Sequence, residues 1–344
     1  MNPEFHELVE VVLITYNRAA CLEKTLDLLL RSPIARCRLT VIDNASPDAT
    51  PAVCAKYSKL FPDFVIRRNR FNVGISGNYL RALEAAEKEF AWFLCDDDHL
   101  DFTHFDELVT TVTSRKYDII FLGVPNHTAL PRGTEIRAQD LIRDRRSNYF
   151  YTASFIPCII FRTANVTPEV VLTGYYQIST ILSNLCYFVE AVRRNSLIYV
   201  CKNDFIFNQQ DNVGYRPLHF VVGWIHFANG LRKKAQDKSC ATAMMHEMLG
   251  RSFYPQKIAQ YTFFQKGFAS QNTGHDAWRL AVESFKAGPI WFLKVLPFVI
   301  ILILPGFVSR TLWRCAEKLV EVKEGRKIKR PTNIEFAEGK DYRG

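Results

Sequence analysis

The chain has 344 residues, 48% apolar and 23% charged, so it buries a full core and is not disordered, collagenous or coiled-coil as a whole. Nine scattered cysteines with no C-x-x-C exclude a zinc ribbon and suit a reducing compartment, and the eight histidines include no H-E-x-x-H zinc-protease signature. The net charge of +9 is concentrated near the end, where residues 309–330 hold eight basic and three acidic side chains.

Residues 1–9 are acidic and lack an apolar run, so no secretory signal is read there and a cytosolic chain is expected. Residues 9–15 (VEVVLIT) read as a strand that stops at Tyr16-Asn17-Arg18. Cys21, Leu22, Leu26, Leu29 and Leu30 then follow a helical period. Residues 39–42 form a second strand closed by Asp43-Asn44-Ala45-Ser46-Pro47, and Ser46 or Asp48 is expected to cap the next helix. A third strand begins at 64–66, a third helix covers 74–87, and a fourth strand at 90–94 runs into Asp96-Asp97-Asp98. A fifth strand is expected at 117–124. Strands alternating with helices predict an α/β fold with a largely parallel sheet. Further on, a short strand at 158–161, a helix near 178–192 and a strand at 197–200 lead to the polar run 208–212. From 217 to 285 the pattern is helical, with Trp224 and Trp278 expected to fill a core.

Ligands of open α/β sheets bind at the carboxyl ends of the strands, and here four such ends are polar: Thr15–Arg18, Asp43-Asn44, Arg70-Phe71-Asn72 and Asp96–Asp98. Three adjacent carboxylates repel one another, and a hard divalent cation, Mn2+ or Mg2+, removes the repulsion. In extended chain Asp96 and Asp98 point the same way toward one metal while Asp97 turns elsewhere. The competing reading is a helix N-terminus, a role that Asp101 fills without them. His99 as an added ligand and His219 as a diphosphate contact are weaker than their structural readings. Neither G-x-G-x-x-G nor a P-loop follows strand one, which argues against a dinucleotide dehydrogenase or P-loop NTPase. Asp43 has the placement of a residue that reads a nucleoside.

These residues, Leu13–Arg18, Val41–Ser46, Asn72-Val73-Gly74 with Gly77-Asn78, and Phe93-Leu94 with Asp96-x-Asp98, resemble family 2 glycosyltransferases over about the first 125 positions. The likeness extends to bacterial cell-surface polysaccharide and O-antigen sugar transferases. It implies the GT-A fold, a nucleotide-sugar donor, a saccharide or lipid-linked saccharide acceptor, and a divalent metal at the diphosphate. By that resemblance Thr15, Tyr16, Asn17, Arg18 and Asp43 hold the nucleoside, and Asn72, Gly74 and Asn78 line the donor pocket. Asp96 sits near the ribose and the metal, Asp97 joins the donor-binding group, and Asp98 holds the metal. The implied organisation is a donor-binding half at 1–125, an acceptor-binding half at 126–215, a helical extension at 216–287, and an apolar segment with a basic tail at 288–344.

One family feature is missing. Inverting members carry an acidic pair where this chain has Gly174-Tyr175-Tyr176-Gln177-Ile178-Ser179, and neutral Gln177 cannot take a proton. Asp204 and Asp211 are the next carboxylates, Asp211 being preferred, and a retaining transfer needs no such base. A nucleotidyltransferase is the alternative enzyme, although TYNRAACLEK lacks its Gly-rich loop. A non-catalytic membrane-associated module is the third reading. The apolar run 289–308, with Lys294 its only charge and prolines at 297 and 305, is read as a monotopic anchor. Trp291 and Trp313 suit the headgroup level, and residues 289–330 are expected to meet an anionic membrane surface, on the inner face of the cell membrane, rather than nucleic acid.

Overall fold

A computed structural model describes residues 4–124, 131–144, 148–207, 217–249 and 274–305, with 307–308, 311–312 and 315. β1 (Val9–Thr15) is buried along its whole length, as a mostly apolar run between neighbouring strands requires, and lies inside an eight-stranded sheet. β2 (Arg38–Asp43) and β4 (Phe90–Cys95) flank it in parallel, and β3 (Phe64–Arg68) closes that edge with its charged, exposed end. Beyond β4 the order continues through β8 (Ile159–Arg162), β6 (Ile119–Gly123), β9 (Leu197–Asp204) and β7 (Thr134–Arg137). β8 runs antiparallel to both its neighbours, and β7 antiparallel to β9, so the sheet is mixed beyond β4. A separate two-stranded ribbon joins β5 (His99–Leu100) to β10 (Ile206–Phe207). β5, β7 and β10, each four residues or fewer, are too short to show a period and were not expected.

Alternation along the strands divides two apolar layers. Val9, Val11 and Leu13 of β1 and Phe90, Trp92 and Leu94 of β4 enter one core with Leu22, Leu26 and Leu29 of α2 (Ala19–Leu30). Cys54 and Tyr57 of α3 (Thr50–Tyr57) join the same core, as do Phe5 of α1 (Phe5–Leu8) and Leu108 of α5 (Phe105–Thr113). The opposite face of β4 presents Phe93, which meets Tyr79 of α4 (Gly74–Ala85) and Phe161 of β8, each at 5.1 Å. α6 (Ala138–Arg143), α7 (Tyr149–Ser154), α8 (Pro168–Tyr176) and α9 (Leu185–Arg193) complete this half. Gly174 of α8 has a packing reason: a Cβ there would lie 2.3 Å from Leu80 Cδ2 of α4. α9 starts seven residues later than the 178–192 expectation. Thr180 and Ser183 instead donate their hydroxyls to the Gln177 carbonyl oxygen, holding that stretch in turns.

Glu10 breaks the apolar run of β1 and is fully buried. Its carboxylate accepts from the Thr40 hydroxyl at 2.5 Å and from the backbone N–H groups of Glu87 at 2.7 Å and Lys88 at 3.3 Å. It ties β1, β2 and the entrance to β4 together at the end of the sheet away from Thr15.

Two compact units divide the chain, the first ending at Gln209 and the second beginning at Gln210. The described part of the second is helical: α10 (Pro217–Arg232), α11 (Lys238–Leu249), α12 (Gly274–Ala287) and α13 (Pro289–Ile303). Trp224 fills its core as expected and donates Nε1–H to the Met244 carbonyl oxygen at 2.8 Å. Trp278 does not, because it lies on the outward side of α12. No helix among the described residues is long and apolar enough to cross a membrane.

Candidate active site

Register brings the polar strand ends level: Thr15 pairs with Asp43, Asp43 with Arg68, and Ile14 with both Ile42 and Cys95. Beyond these pairs the chain turns sharply. Asn17 and Ala45 adopt left-handed backbone with φ of 53° and 61°, a conformation that Asn tolerates and Ala does not favour. The two turns are joined where Asn17 N–H donates to Ser46 Oγ at 2.8 Å. Ser46 does not cap α3, whose N-cap is Ala49, while Asp48 just before it takes the first N–H of the helix. Asp48 accepts from Ala19 N–H, the first residue of α2, at 2.9 Å and from Thr50 N–H at 3.1 Å, so it fixes the start of α2 against the β2 turn.

Asp43 is buried. One carboxylate oxygen accepts from Ser46 N–H at 2.9 Å and the other from the Arg68 guanidinium, which also donates to the Ser46 carbonyl oxygen at 2.8 Å. Next to it lies a network of amides. Asn44 Nδ2 donates to Asn72 Oδ1 at 2.7 Å and to the Gly74 carbonyl oxygen at 3.2 Å. Its Oδ1 accepts from Asn69 Nδ2 at 2.9 Å and Val73 N–H at 3.0 Å. Asn69 also donates to Asn78 Oδ1 at 2.8 Å, and Asn78 donates to the Ile42 carbonyl oxygen at 3.3 Å. Gly74 opens α4 at φ +74°, a geometry suited to glycine, with its N–H on Asn72 Oδ1 at 2.9 Å. Thus Asn72 and Gly74 lie at the exposed lip, whereas Asn78 is buried scaffold. Asn69 was not singled out in the sequence, and Asn44 was named only as part of a polar strand end. Their signal was an asparagine after each of two neighbouring strands.

The acidic triad divides into three environments. Residues 96 and 97 form a turn rather than extended chain, so the alternation argument for their direction does not apply. Asp96 and Asp98 are nonetheless both buried, while the Asp97 side chain is 39% exposed. Asp96 accepts from the Thr15 hydroxyl at 2.6 Å and pairs with Arg18 at 3.0 Å, and its backbone carbonyl accepts from Thr25 Oγ1 at 2.8 Å. Arg18 also reaches Asp97 at 2.8 Å, so in this structure its guanidinium serves the carboxylates. Burial pushes Asp96 up to about 6, against the pull of Arg18 and Thr15. Burial pushes Asp98 further, to about 8, opposed by a hydrogen bond from Cys95 N–H at 2.6 Å and, more weakly, by the charge of Arg18, with Asp97 and Asp96 adding repulsion. Arg18 forms its ion pairs with the other two carboxylates.

His99 is exposed and pairs through its backbone with Phe207, so it belongs to the ribbon rather than to a helix start. Asp101 accepts from Thr103 N–H at 2.8 Å ahead of α5 but does not cap that helix, whose N-cap is His104. His219 lies in α10 of the second unit. Of the candidate bases, Asp204 ends β9 and pairs with Arg132 at 2.6 Å. Asp211 lies outside the described residues. Gln177 is buried, its amide oxygen has no hydrogen-bond partner among the described residues, and no carboxylate stands beside it in the 174–179 stretch.

A cation fits the chemistry of this edge. Asp98 is a buried carboxylate raised by its surroundings and opposed by two like charges, the situation a divalent ion relieves. Among the described residues no three His, Cys, Asp or Glu side chains form a metal cage, so protein ligands alone do not complete a shell.

Residues 10–162 match the sequence model of Glycosyl transferase family 2. The minor teichoic acid biosynthesis protein GgaB of Bacillus subtilis (strain 168) is 22% identical over 117 residues, 33% of this chain and 13% of that protein. S. aureus TarS 1–349 in complex with UDP-GlcNAc aligns at a TM-score of 0.60 and 15% identity, covering 90% of this chain and 92% of that one. A longer TarS structure gives 0.57 at 17% identity, and this chain covers 54% of it. The mannosyltransferase PcManGT from Pyrobaculum calidifontis, with GDP-Man and Mn2+, aligns at 0.51 and 14% identity over 91% of each chain. At these identities the solved structures establish the GT-A fold.

Proposed function

We propose that the chain, whose residues 10–162 match glycosyl transferase family 2, moves a sugar from a nucleotide-sugar donor to a saccharide acceptor, lipid-linked, in cell-surface glycan synthesis. The observation that carries this reading is the convergence of four strand ends around Asp96 and Asp98, with Asp98 buried and in no ion pair among the described residues. The bound UDP-GlcNAc of TarS and the GDP-Man and Mn2+ of PcManGT support donor class and metal.

In this reading Asp98, with Asp96, holds Mn2+ or Mg2+. When bound, that ion neutralises the diphosphate as the leaving group departs. Thr15 and Arg18 keep Asp96 ionised and fixed. Tyr16, Asn17 and Asp43 meet the nucleoside, Asp43 through the acceptor sites that Ser46 and Arg68 leave open. Asn72 and Gly74 form the lip of the pocket, held by Asn44, with Asn78 behind. Asp211 takes the acceptor proton if transfer inverts, whereas a retaining transfer uses no such group. Residues 126–215 supply the acceptor side, and the segment 289–330 meets the anionic inner face of the cell membrane where a lipid-linked acceptor is presented.

The test is thermal shift with UDP-, GDP-, CDP- and dTDP-sugars, with and without Mn2+, followed by transfer assays on lipid-linked oligosaccharides. Metal-dependent stabilisation by one nucleotide is expected in the wild type and is lost in Asp98→Ala, which should keep its far-UV circular dichroism but not turn over. Full activity in excess chelator would refute the metal reading. No response to any nucleotide sugar would leave a non-catalytic module.

A further inference from the structure

The second unit turns apolar side chains outward along a helical hairpin. α13 has two faces set by its period: Val295, Val299 and Leu302 are buried, while Ile290, Leu293, Ile300 and Ile303 are exposed. On α12, Trp278 and Phe285 stand seven residues apart, about two turns, and are 70% and 69% exposed. The two rows are contiguous, because the Phe285 ring meets Phe292 of α13 edge-on at 5.8 Å. Lys294, the only charge in α13, donates to the Leu249 carbonyl oxygen at 3.3 Å and sits over the Trp291 ring, which draws it toward the protein. Trp291 itself rests on His246 at 5.2 Å, so it does not take the headgroup role that its sequence position suggested. Isolated exposed apolar residues are ordinary, but a contiguous row across two helices marks an interaction surface.

We propose that the α12–α13 hairpin lies flat on an anionic lipid surface, with Trp278, Phe285, Ile290, Leu293, Ile300 and Ile303 entering the boundary between headgroups and acyl chains. This rests on the membrane contact proposed above and extends it to α12, which that reading left in the soluble body. Lipid is the occupant for two reasons. Residues 309–330, which follow directly, carry a net charge of +5, which suits anionic headgroups. At 15 residues α13 is about 22 Å long, short of the roughly 30 Å hydrocarbon core, so it lies in the interface and does not span. Trp278 then occupies the depth at which an indole is favoured.

The experiment is sedimentation of the full chain with vesicles of phosphatidylcholine containing phosphatidylglycerol, and with phosphatidylcholine alone. Wild type should pellet with the anionic vesicles. Trp278→Ser with Phe285→Ser should weaken partitioning by about tenfold or more, tenfold being about 1.4 kcal/mol. Leu60→Ser, which removes an exposed apolar side chain of the first unit, should leave partitioning unchanged. Far-UV circular dichroism and nucleotide-dependent thermal shift check that the variants fold. If wild type pellets and the double variant pellets equally, the hairpin assignment is overturned and the membrane contact through 289–330 survives. If wild type pellets with no vesicle, both fail. If light scattering shows that the double variant loses self-association while partitioning is unchanged, the face is a contact between copies and the assignment is also overturned.

Discussion

Asn44 should be the residue on which the donor pocket depends most without any charge of its own. Both amide hydrogens and both lone pairs of its side chain are used, between β2 and the loop that leads into α4. Four hydrogen bonds at about 0.5–1.5 kcal/mol each give roughly 2–6 kcal/mol. Asn72 and Val73 are exposed, so water replaces part of what they lose, and Asn44→Ala should cost about 2–3 kcal/mol. For a unit of this size that lowers Tm by about 5–10 °C. Asn44→Asp should be no milder despite its matching shape. Its carboxylate keeps the two acceptor roles but turns lone pairs toward Asn72 Oδ1 and the Gly74 carbonyl oxygen. Asn72 cannot flip to compensate without losing its bond from Gly74 N–H. Thermal and urea unfolding measure the stability, and UDP titration with Mn2+ measures the pocket. We expect nucleotide affinity to fall by about tenfold or more in both variants, because the loop that places Asn72 and Gly74 loses its anchor. A Tm change of a degree or two with unaltered nucleotide affinity would refute the reasoning.

Asp43→Ala should raise the donor KM more than it lowers kcat, since contacts to a nucleoside are similar in ground and transition states; an unchanged KM with a collapsed kcat would contradict that. Asp97→Asn should be far milder than Asp98→Ala, its side chain being part-exposed and shared with Arg18, and an equally inactive variant in a chelator-controlled assay would show that Asp97 also holds the metal. Glu10→Ala leaves the Thr40 hydroxyl and two backbone N–H groups without their acceptor and should cost about 2–4 kcal/mol in urea unfolding, with nucleotide affinity unchanged because Glu10 lies at the far end of β1.

What the sequence made legible followed from periodicity. β1 was bounded correctly at both ends because its apolar run stops at a tyrosine and an asparagine, and β2, β4 and β8 were placed to within about a residue for the same reason. The polar strand ends were legible as a site because sheet topology alone brings them to one edge. Their internal wiring was not. That Arg18 serves Asp96 and Asp97, and that Asp48 joins the start of α2 to that of α3, depends on turns whose left-handed residues are Asn17 and Ala45, and no glycine marks either position. Trp278 was misread because tryptophan is usually a core residue, and only the register of α12 reveals that it points outward. The short β5–β10 ribbon carries too few residues to show any period.

The chemistry of the pocket explains why amides, and not further acids, build its wall. Asp98 is already disfavoured as an anion by burial and by Asp96 and Asp97, and each further carboxylate near it would deepen that penalty. The diphosphate of the proposed donor would bring more negative charge still to the same edge. Asn44, Asn69, Asn72 and Asn78 hold the β2 and β3 ends and the start of α4 through neutral hydrogen bonds, so the loop is rigid without adding to the repulsion. Arg18 is committed to Asp96 and Asp97, which leaves Asp98 as the place where incoming positive charge gains most. On the proposed reading, cation and anionic donor would favour each other's binding, because a cation held by Asp98 would relieve its carboxylate and offset the negative charge of the diphosphate.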